Sequence, residues 1–227
     1  MTSTITAVHE WTVLIPAGAV RLSGTLATPV HPSGAVIFAH GSGSGRLSPR
    51  NRFVAQQLNL AGLATLLFDL LTEGESADRA NVFDIDLLAN RLLAAQQWLR
   101  IQQGMTALPI GYFGASTGAA AALKAAAKLP SGIGAVVSRG GRPDLAGENL
   151  PLVRAPTLLI VGSRDTAVLD LNRDALARLT CPKRLTVVPG ATHLFEEPGT
   201  LEEVATLAAR WFVAHLGTEP PRDRGRP

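Results

Sequence analysis

Residues 110–123 read Ile-Gly-Tyr-Phe-Gly-Ala-Ser-Thr-Gly-Ala-Ala-Ala-Ala-Leu, and the fold is read outward from them. A short apolar run leads into G-x-S-x-G at positions 114–118, and an alanine-rich helical stretch follows. The pentapeptide alone is a weak signal, because glycine and serine are common. Between a strand and a helix it marks a tight turn that exposes a nucleophilic serine. Such a turn needs small residues two positions either side of Ser116, and Gly114 and Gly118 supply them. The Ser116 hydroxyl then projects at the carboxyl end of a strand, near a helix N-terminus where negative charge is stabilised.

Similar apolar runs recur along the chain at 35–39, 63–68, 109–113, 133–137, 157–161 and 185–188. Each is apolar on both parities, as expected of a strand covered on both faces. Helical candidates alternate with them near 49–61, 84–103, 116–129, 170–179 and 200–216. That alternation predicts an α/β fold with a mostly parallel sheet and helices on both faces. Alternating Trp11, Val13 and Ile15, then Val20, Leu22 and Leu26, read as an antiparallel hairpin at the sheet edge. Residues 1–217 form one domain in this reading, and 218–227 a disordered Pro/Arg tail. The connection 138–155 is too short for a lid, and 70–84 reads as a polar irregular stretch. The site should therefore be open to water.

A serine hydroxyl needs a base, and in this setting the partners follow in the order Ser, Asp/Glu, His. His193 lies after the last predicted strand and before the terminal helix, where the base is expected. Asp165 follows the strand at 157–161 and is the expected acid, although an aspartate there also suits a helix N-cap. Asp144 and Asp170 are the fallback acids, and Asp69 reads as a structural hydrogen-bonding residue. His9, His31 and His215 read as surface residues. The oxyanion requires backbone N–H donors. Thr117 should supply one, and Ser42, in the turn His40-Gly-Ser-Gly-Ser-Gly45, the other, with Gly41 and Gly43 as alternatives. Arg46, Arg50, Arg52 and Arg139 fall in predicted loops or helix starts at the active edge, and Arg46 and Arg139 are the candidates for binding an acidic substrate group.

Composition narrows the partners. A net charge of +3 on 227 residues is too small to imply a nucleic-acid partner. The glycines of the His40 turn match neither a dinucleotide fingerprint nor a P-loop. Cys181 is the only cysteine, which excludes an internal disulfide, and the five histidines show no metal-ligand spacing. No metal or cofactor is called for. No apolar run is long enough to span a membrane, and a cytoplasmic monomer or homodimer is the default expectation.

The blocks HGSGSGRLSPRN (40–51), GLATLLFDLLT (62–72), GYFGASTG (111–118), SRGGRPDLA (138–146) and GATHLFEEPG (190–199) together resemble the dienelactone hydrolase-like branch of the α/β-hydrolases. The resemblance runs from the hairpin to Leu216 and implies a sheet of about eight strands with the triad Ser116, Asp165 and His193. Namesake members carry cysteine where this chain has Ser116, and a glutamate that the HGSGSG block lacks. Serine relatives look like general carboxylesterases. The implied activity is hydrolysis of small esters with water as co-substrate. A lactone, an amide, an activated phosphoester, or silent binding on the same scaffold are the alternatives.

Overall fold

The computed structural model describes residues 7–217; the expected tail at 218–227 lies outside them. Eight strands form one sheet: β1 (Val8–Ala17), β2 (Val20–Pro29), β3 (Gly34–Ala39), β4 (Leu63–Phe68), β5 (Ile110–Ala115), β6 (Ala135–Arg139), β7 (Thr157–Gly162) and β8 (Lys183–Val188). Their order is β1-β2-β4-β3-β5-β6-β7-β8. The hairpin β1–β2 is antiparallel and joins β4 antiparallel, and every later pairing is parallel.

The helices are α1 (Pro49–Leu60), α2 (Glu73–Ser76), α3 (Arg79–Phe83), α4 (Ile85–Arg100), α5 (Thr117–Lys128), α6 (Thr166–Arg178) and α7 (Thr200–Leu216). A kinked 3-10 segment, Pro143–Leu152, occupies the connection after β6. Helices α1 and α7 pack together on one face; α4, α5, the 3-10 segment and α6 line the other. β3 through β7 are buried along their whole length, because both faces are covered. The chain leaves β3 toward β4 but resumes at β5 on its other side. Strand order therefore reverses between β3 and β5, and a ligand crevice is expected beyond their carboxyl ends. Both the His40 turn and the Ser116 turn lie there.

Three expectations need correction. The 70–84 stretch is not irregular: it holds α2, closed by a capping box between Thr72 and Glu75, and α3, capped by Asp78. Helix α6 begins at Thr166, four residues before the predicted start at 170. Strand β6 runs two residues beyond the predicted end at 137, so Arg139 is its last residue and not part of a loop.

Candidate active site

The serine turn is shaped by close approach. A Cβ at Gly114 would lie 2.4 Å from the Ala119 Cα, and one at Gly118 would lie 2.2 Å from the Ala39 carbonyl oxygen. Only glycine lets β5, α5 and β3 meet this closely. Ser116 itself sits at φ 51°, ψ −123°, a sparsely populated region for a side chain. Such a conformation costs about 1–3 kcal/mol and persists only where its surroundings enforce it. Here the Ser116 N–H donates to the Arg139 carbonyl at 3.3 Å, and its carbonyl accepts from Ala119 and Arg142 at 3.1 and 3.0 Å.

Asp165 occupies the N-cap position of α6, yet its side chain makes no capping bond. Its Oδ2 instead accepts from His193 Nδ1 at 2.6 Å, across 28 residues of sequence. The carboxylate side chain is 14% exposed and the imidazole 38%. A neutral imidazole that donates through Nδ1 leaves Nε2 free to accept a proton. The histidine loop is braced by Glu197, whose Oε2 accepts from Thr192 N at 3.1 Å, and by buried Phe195 at φ 56°. Hydrogen bonding to Thr192 holds the Glu197 carboxyl below the usual carboxylate range.

His40 has a role that its sequence position did not reveal. Its Nε2 accepts from the Leu70 N–H at 3.0 Å, so its proton lies on Nδ1, which donates to the Gly41 carbonyl at 2.9 Å. Acceptance at Nε2 requires the neutral ring, and burial pushes its pKa down. The ring thereby fastens the His40 turn to the end of β4. Beside this turn lies a cleft of about 390 Å³. Leu70, Leu71, Val82 and Leu88 give it an apolar part, while Ser42, Glu73 and Thr117 give it polar walls.

The two candidate oxyanion residues are in direct contact, because Ser42 N donates to Thr117 Oγ1 at 3.0 Å. The candidate arginines are engaged by other residues. Arg46 donates from its backbone N to Asp69 Oδ1 at 2.8 Å and from Nη1 to Oδ2 at 2.9 Å, which gives Asp69 the expected hydrogen-bonding role. Arg46 and Arg52 line a second, separate cleft. Arg50 pairs with Glu196 at 3.1 Å. His215, expected at the surface, is half-buried with its ring centroid 4.4 Å from that of Trp211. Asp144 is held by both Nε and Nη2 of Arg142, and Asp170 pairs with Arg173.

Arg139 is buried because its place in β6 puts it on the same face as Val137. Its Nη2 reaches Asn51 Oδ1 at 3.4 Å, while Nε and Nη1 have no partner among the described residues. Burial, and secondarily the charge of Arg50, pushes its pKa down to about 10. The side chain is still charged at neutral pH, so it is a buried cation without a carboxylate. Replacing buried charge by apolar side chains of similar volume often stabilises by about 1–4 kcal/mol. Arg139→Met should therefore raise the urea midpoint. A destabilisation beyond about 1 kcal/mol would overturn this and show that the bond to Asn51 and the packing of the side chain outweigh the cost of the buried charge.

A sheet of this order, with a strained serine between β5 and α5 and an Asp–His pair after β7 and β8, defines an α/β-hydrolase. The model of the dienelactone hydrolase family matches residues 22–215, and the chain belongs to that family. A crystal structure of dienelactone hydrolase from Anabaena variabilis superposes with a TM-score of 0.89 at 54% identity, covering 92% of this chain and 99% of that one. Est1E from Butyrivibrio proteoclasticus shares the fold at a TM-score of 0.77 and 16% identity, covering 90% of this chain and 98% of its own. A Mycobacterium tuberculosis protein named "Putative phosphoribosyl transferase Rv0571c" is 62% identical over 204 residues. That match takes in 90% of this chain but only 46% of the relative, so its name describes a molecule about twice as long. Among the described residues no helix is long and apolar enough to cross a membrane, and no group of three or more His, Cys, Asp or Glu could hold a metal.

Proposed function

We propose that the chain is a serine hydrolase that cleaves small carboxylic esters through Ser116, His193 and Asp165. The observation that carries this reading is the 2.6 Å contact between His193 Nδ1 and Asp165 Oδ2, made by an N-cap aspartate that leaves its helix uncapped. His193 Nε2 takes the Ser116 proton as Oγ attacks the ester carbonyl. Asp165 holds the tautomer and stabilises the imidazolium. The oxyanion is met at the N-terminus of α5, where Thr117 lies against the His40 turn. His193 returns the proton to the leaving alcohol, and water activated by the same ring releases the acid. Arg46 and Arg139 are given no substrate-binding role in this reading, since the Arg46 guanidinium is clamped to Asp69 and that of Arg139 is buried against Asn51. The reaction needs only the ester and water, in a cytoplasmic monomer or homodimer.

Labelling with a fluorophosphonate probe, alongside turnover of p-nitrophenyl acetate, tests the reading. Neither labelling nor turnover would point to a silent binding protein. Labelling with preference for lactones, amides or phosphoesters would change the substrate and keep the site. Acyl length gives a sharper expectation. The connection after β6 holds only the 3-10 segment and supplies no lid to wall a long acyl chain, and each buried methylene contributes about 0.8 kcal/mol. Specificity constants should peak at acetate to butyrate and then flatten or fall, since longer chains stay in solvent. A peak at decanoate or longer, assayed below solubility limits, would overturn the open-cleft reading.

A further inference from the structure

Ser42 N–H, the expected partner donor for the oxyanion, is already engaged by the Thr117 hydroxyl at 3.0 Å. That hydroxyl is one donor and two acceptors in a single atom. It accepts from Ser42, and its own proton has no acceptor among the described residues. Thr117 is 4% exposed, and what it presents faces the cleft beside Ser116. Its backbone N–H is one of the first in α5, where intrahelical partners are lacking.

We propose that Thr117 is a catalytic residue through its side chain: its hydroxyl donates to the oxyanion, relaying the Ser42 N–H. This inference rests on the serine-hydrolase reading above. As the Ser116 Oγ–carbon bond forms, the Ser116 proton passes to His193 and the carbonyl π pair moves onto oxygen. That oxygen receives two bonds from one residue, Thr117 N–H and Thr117 Oγ1–H. The Ser42 N–H polarises the hydroxyl from behind, which strengthens it as a donor.

The test compares Thr117→Val, which keeps shape and removes the hydroxyl, with Thr117→Ser, which keeps the hydroxyl. On p-nitrophenyl acetate, Thr117→Val should lose about 10²-fold in kcat with KM nearly unchanged, in line with the loss of one oxyanion donor. Its rate of labelling by the fluorophosphonate, which places an oxygen in the same hole, should fall in parallel. Thr117→Ser should restore kcat to within about threefold of wild type on the same scale. Thr117→Ala serves as the second hydroxyl-free variant, and melting curves establish that each variant is folded. A folded Thr117→Val or Thr117→Ala with wild-type or higher kcat would overturn the relay and make Ser42 N–H the donor that the hydroxyl merely occupies. Loss in KM rather than kcat would overturn it too, leaving a tether for the His40 turn. A wild-type chain that neither labels nor turns over would sink the serine-hydrolase reading itself, and the two failures are thus distinct.

Discussion

Ser116→Ala is expected to lower turnover of p-nitrophenyl acetate by about 10⁴-fold or more, with the fold unchanged. On the proposed mechanism the size follows from removing the group that would form the acyl-enzyme bond, while the proposed Thr117 donors and His193 would still bind substrate and polarise it. The unchanged fold follows from the local structure. No hydrogen bond from Ser116 Oγ is present among the described residues, so its removal leaves no donor or acceptor stranded. The bonds that hold the turn are main-chain ones: Ser116 N to Arg139, and Ala119 N and Arg142 N to the Ser116 carbonyl. Alanine keeps all three, and at φ 51° it is strained about as serine is. Steady-state kinetics with a matched thermal melt check both halves. An alanine variant that kept more than a tenth of wild-type turnover would remove Ser116 from the mechanism.

The architecture was legible because burial on both faces writes itself into composition. Strands β3 to β7 are apolar on both parities, and a reader of the sequence finds each of them. Strand ends were less legible. Strand β6 continues through Ser138 and Arg139, two polar residues that carry no strand signal but are 0% and 8% exposed. On sequence alone Arg139 therefore reads as a loop residue at the active edge of the sheet. Helices α2 and α3 are too short to show apolar periodicity, although Thr72 and Glu75 are spaced for a capping box. Within the site, the sequence singles out Asp165 and His193, which the structure brings into contact, but contacts made across strands are not readable. Ser42 and Thr117 are 75 positions apart and meet only because β3 and β5 are neighbours. The His40–Leu70 bond likewise depends on β3 lying beside β4.

Asp165→Asn should cost about 10³–10⁴-fold in kcat, whereas Asp144→Asn should cost less than about threefold. The two aspartates are separated by what their carboxylates already hold. Asp165 Oδ2 accepts from His193 Nδ1 at 2.6 Å and is the imidazole's carboxylate partner. An asparagine there can present its amide N–H₂ to Nδ1, which would move the ring proton to Nε2 and leave no acceptor for the Ser116 proton. The carboxylate charge that stabilises the imidazolium is lost as well. Asp144 has both oxygens committed to Arg142, at 2.9 and 2.8 Å, and no bond to His193. Losing its charge weakens a partly exposed ion pair, an effect on stability of about 1 kcal/mol or less. Because Asp165 makes no side-chain cap, Asp165→Asn should not unwind α6, and its melt should stay close to wild type. Measuring kcat and melting curves for both variants on one ester separates the roles. A large kcat loss in Asp144→Asn with little in Asp165→Asn would transfer the acid to Asp144, and would require the loop after β6 to swing toward His193 during turnover.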